Sequence, residues 1–183
     1  MHQLESALCK SKNTEWTEAN MSSYQFIASN QPLPEVENPH VHLYSLNEAV
    51  AHGITLDNDL LEMEIDPDEP GVIMWYESEE LLGEITIRKE EDTDFSEPFT
   101  QLPFTYILEW GGYTEKRAEQ LMAYIKENMT SGSTVELWDT WINEVEEPTV
   151  QTIPLTELSP LTILETIGKD GYEKPTVLIV EKK

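Results

Sequence analysis

The sequence predicts an α+β protein. Its C-terminal half has the ferredoxin-like element order β-α-β-β-α-β, packed against a β-rich N-terminal half. Three observations carry this. Short apolar runs rich in aromatic and β-branched residues mark strands at 24–28, 72–76, 104–110 and 176–180. Two stretches with helical spacing of apolar residues lie between 104 and 183. Gly, Pro and Ser punctuate the boundaries between them. The expected division is a flexible N-terminal segment at 1–20, a β-rich acidic half at 21–100 and the ferredoxin-like half at 101–183. Residues 21–183 are expected to form one compact unit.

In the N-terminal half, Tyr24–Ser29 reads as a strand and the proline-rich 30–39 as a loop. His40–Tyr44 reads as a second strand, followed by a short helix capped by Ser45 that ends near Gly53. Leu61, Met63 and Ile65 alternate with Glu62, Glu64 and Asp66, the pattern of a half-buried strand with one acidic face. Val72–Tyr76 and Glu84–Arg88 complete the strands of this half.

In the C-terminal half, Phe104–Trp110 is a strand stopped by Gly111-Gly112. Thr114 caps a helix whose Ala118, Leu121, Met122, Ile125 and Met129 share one face. The strand TVELWDTWI follows, with VQTIP (150–154) returning after the Glu146-Glu147-Pro148 turn. Ser159-Pro160 opens a second helix with Leu161, Leu164 and Ile167 as its buried face. The last strand is TVLIVEK. In a ferredoxin-like sheet it lies at the edge, where the run Val177–Val180 would need a cover. The N-terminal half is the expected cover.

Charge narrows the function classes. The chain has a formal charge of −25 in 183 residues, and Lys12 and Arg88 bracket 75 residues with sixteen Asp and Glu and no Lys or Arg. Phosphate contacts need cations, so nucleic acid is not an expected ligand, whereas a basic protein surface is. No apolar run approaches the ~20 residues of a membrane span, and no membrane association is expected. The lone Cys9 excludes an internal disulfide and favours a reducing, cytoplasmic setting.

The first candidate site is the acidic band. Glu62, Glu64, Asp66, Asp68 and Glu69 form one group, with Glu90, Glu91 and Asp92 in a second. Alternate residues of a strand stand about 6.6 Å apart on one face, so Glu62, Glu64 and Asp66 would make a row of negative charge. A docking face for a basic partner is one reading, with inhibitor or immunity proteins as examples of the type. A solvated surface that serves solubility is the other, and charge runs are usually that. Asp57-Asn58-Asp59 opens like a calcium loop, but Glu62 and Asp68 stand where its glycine and glutamate belong.

The second candidate is a metal set of His40, His42, Glu48 and His52. His40 and His42 share one side of a strand, and Glu48 and His52 are four apart on a short helix. The spacing matches no established metal motif, and no cofactor is expected. Trp138 and Trp141 point to opposite faces of their strand. With Leu137 and Ile142 beside them, that strand reads as buried on both faces; the other reading is an exposed anchor for a partner. Lys116 and Arg117 are read as salt-bridge partners for the acidic face.

No Gly-x-Ser-x-Gly, Gly-x-x-x-x-Gly-Lys or Gly-x-Gly-x-x-Gly motif occurs. YQFIAS, ELWDTW and KPTVLIVEK, in this order, resemble small acidic cytosolic proteins of Gram-positive bacteria without an assigned function. The resemblance implies a bacterial cytosolic protein and carries over no site residues. The sequence thus reads as a non-catalytic protein that binds another protein through an acidic face. The competing reading is a small enzyme or a ligand- or metal-binding domain that uses His40, His42 and Glu48 or a cleft between the halves.

Overall fold

The computed structural model describes residues 23–56, 65–91, 95–141, 146–167 and 174–183. Its elements, in order, are β1 (Ser23–Ser29), β2 (Val41–Tyr44), α1 (Leu46–Ala51), β3 (Ile73–Tyr76), α2 (Glu79–Leu82), β4 (Thr86–Lys89), β5 (Phe104–Glu109), α3 (Glu115–Asn128), β6 (Ser133–Trp141), β7 (Thr149–Pro154), α4 (Pro160–Ile167) and β8 (Thr176–Lys182). No described helix is long and apolar enough to cross a membrane. The expected 1–20 segment lies outside the described residues, as do 61–64 of the alternating Leu61–Asp66 segment. Ile65 and Asp66 are not in a strand.

The chain divides into two units. One includes Pro39–Leu82. The other joins Gly83–Lys183 to the N-terminal segment that carries β1 and ends at Asn38.

The larger unit is a six-stranded mixed sheet ordered β4-β5-β1-β6-β8-β7. Neighbours are antiparallel except β7 and β8, which are parallel. β1 is central because its apolar run can be buried on both faces. Phe26 lies between Ile107 and Trp138 in register, and Ile27 between Tyr106 and Leu137. Ile27, Tyr106, Leu137 and Leu178 face the helices, packing with Leu121 and Ile125 of α3 and with Ile163 and Ile167 of α4. Phe26, Ala28, Trp138 and Val177 face the other way, where Phe99 and Leu102 of the β4–β5 connection cover them. Phe26 and Trp138 stack nearly flat, with ring centroids 5.7 Å apart and 5° between planes. Such a pair adds roughly 0.5–1.5 kcal/mol beyond its burial.

The order β-α-β-β-α-β along 104–183 is present, but the lateral arrangement differs from the interleaved sheet of a ferredoxin-like unit. β5 and β6 are both antiparallel to β1 and so parallel to each other. α3 connects them, and β1, from outside this stretch, splits them. β7 and β8 are adjacent, with α4 between them in the chain, so that crossover is not split. β8 is consequently not an edge strand, since β6 and β7 flank it. The cover expected from the N-terminal half is β7, whose Thr149, Gln151 and Thr152 are exposed and polar, as an edge requires. At the opposite edge Ile87 and Val36 exchange two backbone bonds of 2.7 and 2.8 Å, and the Glu35 carboxylate accepts from the Lys89 amide.

α3 forms as expected. Thr114 accepts from the Arg117 amide, and Ala118, Leu121, Ile125 and Met129 are buried, with Met122 at the margin. α4 turns differently from expectation. Ile163 and Ile167, one turn apart, are buried and Leu161 is exposed. The helix carries two apolar stripes, and packing on the sheet selects the one with i, i+4 spacing. β6 is buried on both faces from Leu137 to Thr140, and Trp141 is half-buried.

In the smaller unit β2 pairs antiparallel with β3, Val41 opposite Tyr76 and Tyr44 opposite Ile73. Ser45 and Glu48 form a reciprocal capping box at the start of α1, which contributes about 1 kcal/mol. Leu46, Ala49 and Ile73 are the buried core, with Tyr44, Ile54, Leu56, Ile65 and Val72 around it. That core takes only one face of the β2–β3 pair.

Candidate functional site

The smaller unit concentrates the charge. Pro39–Leu82 contains eleven Asp and Glu and no Lys or Arg. Seven of those acids are described, Glu48, Asp66, Asp68, Glu69, Glu77, Glu79 and Glu80, and all are exposed. The segment Pro39–Leu82 itself supplies no Lys or Arg to neutralise them.

The acids are placed by short-range geometry. The Asp66–Glu69 turn is held against the start of α1. The Asn47 amide donates to the Pro67 carbonyl at 3.1 Å, and its side chain donates to Asp68 at 2.7 Å. Within the turn the Asp68 amide donates to the Asp66 carboxylate at 3.0 Å, an Asx turn of the sort Asp favours. Gly71, at φ 78°, then reverses the chain into β3. Asp66, Asp68 and Glu69 thus precede β3 at its Ile73 end, and Glu77, Glu79 and Glu80 follow it at its Tyr76 end. Between them, Leu43 and Met74 face each other across the strands on the side opposite Tyr44 and Ile73. Leu43 is 58% and Met74 50% exposed. The sequence reading missed this pair because single exposed apolar residues are ordinary; only the register shows that these two are neighbours.

The remaining acids of the expected band separate. Glu62, Glu64 and Asp92 lie outside the described residues. Glu91 is exposed. Glu90 is only 5% exposed and is taken up inside the larger unit. One of its oxygens accepts from the Tyr24 hydroxyl at 2.9 Å and the other from the Ser96 hydroxyl at 2.6 Å. Burial, then the adjacent Glu90 charge, pushes the Tyr24 phenol well above its usual range. Glu90 therefore pins the β4–β5 connection over the aromatic face of the sheet and presents no charge to a partner.

Two of the histidines meet on the Tyr44 ring. His40 lies in the turn before β2, not in the strand, so it does not share a strand face with His42. His42 stacks on Tyr44, with centroids 6.0 Å apart, and His52 stacks on the same ring at 4.7 Å. His42 also meets Trp75 at 5.6 Å. The Glu48 carboxylate accepts from the Ser45 amide at 2.8 Å in the capping box. Among the described residues no three His, Cys, Asp or Glu are gathered as a metal ion needs.

Lys116 meets Glu84 at 3.4 Å in the larger unit. Arg117, expected with Lys116 to pair with the acidic face, is buried, and its guanidinium donates to the Gly111 and Gly112 carbonyls.

One buried carboxyl was also missed. Asp139 is opposite Gln25 in the β1–β6 register and is nearly buried. Burial pushes its carboxyl up to about 6, while a side-chain hydrogen bond to Gln25 acts in the other direction. Gln25 is itself fully engaged. Its nitrogen donates to the Ile167 carbonyl at 2.8 Å and to the Tyr113 hydroxyl at 3.2 Å, and its oxygen accepts from the Trp110 indole. These bonds tie Gln25 of β1 to Trp110, just past the end of β5, to Tyr113 and to the end of α4. The one sequence signal of this cluster is an acid inside an otherwise apolar strand, ELWDTW.

Comparison of the chain with protein-family models, with curated proteins and with solved structures finds no match.

Proposed function

We propose that this chain is a binding protein rather than an enzyme, and that it docks a basic protein through the unit Pro39–Leu82. The observation that carries this is the charge of the segment 39–82: eleven acids, no Lys or Arg, and every described acid exposed. A field of one sign over a small surface accelerates encounter with an oppositely charged partner and rejects polyanions. The buried or engaged carboxylates of the larger unit, Glu90 and Asp139, serve its own packing.

The experiment is retention of basic proteins from lysate at low salt by immobilised full chain. It is run beside a variant with Asp66, Asp68, Glu69, Glu77, Glu79 and Glu80 changed to Asn or Gln. Retention by the wild type, release at high salt and loss in the variant are expected. Equal retention by both proteins would place the contact elsewhere, and no retention at all would leave the acids a solubilising surface.

A further inference from the structure

Building on that docking role, we infer that the outer face of β2 and β3 is the contact itself. Its occupant is a protein segment with apolar side chains at its centre and Lys or Arg at both ends.

Among the described residues nothing buries Leu43 or Met74, the two side chains at the centre of this face. A two-stranded sheet is marginal in water unless a face is packed. Here Tyr44 and Ile73 pack inward on Leu46 and Ala49, while Leu43 and Met74 stand outward at the centre of the pair. Val41 and Tyr76, next along the same face, are half-buried and extend it. Met is a side chain that adapts to varied apolar partners. The apolar centre is short, because four strand residues span only about 13 Å.

Charge decides between occupants. The apolar centre lies between Asp66, Asp68 and Glu69 at one end of β3 and Glu77, Glu79 and Glu80 at the other. A second copy of the chain would bring acidic ends against acidic ends. An anionic lipid surface or a nucleic acid would meet the same repulsion, with no Lys or Arg in the segment 39–82 to relieve it. A segment with a cation at each end satisfies both acidic groups while its apolar residues cover Leu43 and Met74. In this division of labour the charges set the encounter rate and salt dependence, and the apolar pair sets the lifetime of the complex.

The test uses the full chain, isotope-labelled, titrated with a synthetic helical peptide. The peptide carries two leucines four residues apart and two lysines at each end. A control peptide of equal charge has serine in place of leucine. Amide shifts confined to 41–44, 73–76 and the flanking acids are expected. The serine peptide should bind at least tenfold more weakly, as should Leu43→Ser/Met74→Ser protein with the leucine peptide. Both substituted side chains are largely exposed, so the variant retains its fold, which circular dichroism verifies.

If both peptides bind equally well and the variant behaves like wild type, the acidic docking role stands and the apolar face is not the contact. If neither peptide binds at low salt, both proposals fall. Dimerisation in sedimentation, or adsorption to vesicles of anionic lipid, that is lost in the same variant would overturn this one in favour of another occupant.

Discussion

Asp139 and Gln25 sit opposite each other in the middle of a sheet, a carboxyl and a carboxamide paired between β6 and β1. The position is unusual because a buried carboxylate loses solvation that one amide cannot replace. The carboxyl answers by holding its proton to about pH 6.

That shift has a sign. An unfolded Asp titrates near 3.8. Between that value and about 6 the folded chain binds the extra proton, so stability falls as pH rises through the window. Asp139→Asn keeps the shape and removes the charge. It should be more stable than wild type at pH 7 by about 1–3 kcal/mol, and the two should converge near pH 4. Urea midpoints at several pH values measure this, and parallel curves for both proteins would refute it.

Glu90 makes the opposite kind of prediction. It accepts hydroxyl bonds from both Tyr24 and Ser96, so Glu90→Ala should cost about 1–3 kcal/mol by removing an acceptor from the buried Ser96 and from the half-buried Tyr24. Glu90→Gln keeps the shape and one acceptor, and should cost less. Neither change should alter the binding of a basic peptide, since the carboxylate is inside the protein. A weakened affinity in the Gln variant would return Glu90 to the docking surface.

Gly83 and Gly111 allow two backbones to meet. The Gly111 amide donates to the Gly83 carbonyl at 3.0 Å, and a Cβ on Gly83 would overlap the Gly111 carbonyl oxygen and the Arg117 guanidinium. Gly83→Ala should therefore destabilise the chain by roughly 1–3 kcal/mol, a fall in melting temperature of about 2–4 °C per kcal/mol for a chain of this size. An unchanged melting temperature would mean that the two loops separate freely.

The elements themselves were largely legible. Caps at Ser45, Thr114 and Ser159, and apolar runs at 24–28, 104–110 and 176–180, mark local structure because they act within one or two turns of chain. The stripe on α4 was ambiguous, because Leu161, Ile163, Leu164 and Ile167 can be read as two faces of eight residues. The site was less legible. Glu90 reads as one acid among many until Tyr24, 66 residues away, donates to it. Asp66, Asp68 and Glu69 were readable as acids, but their placement beside β3 depends on the turn that Asn47 holds.

By itself the sequence determined the α+β composition, the strand and helix segments and the acidic, cation-free stretch between Lys12 and Arg88, all properties of residues close together in the chain. Only the tertiary structure decided which strands are neighbours. It inserted β1 between β5 and β6, moved β8 from the edge to the interior, buried Glu90 and brought Leu43 opposite Met74. Strand pairing joins residues far apart in sequence, and several strands here have enough apolar surface to be central. The choice among them is made by how all the faces pack at once, which no local pattern encodes.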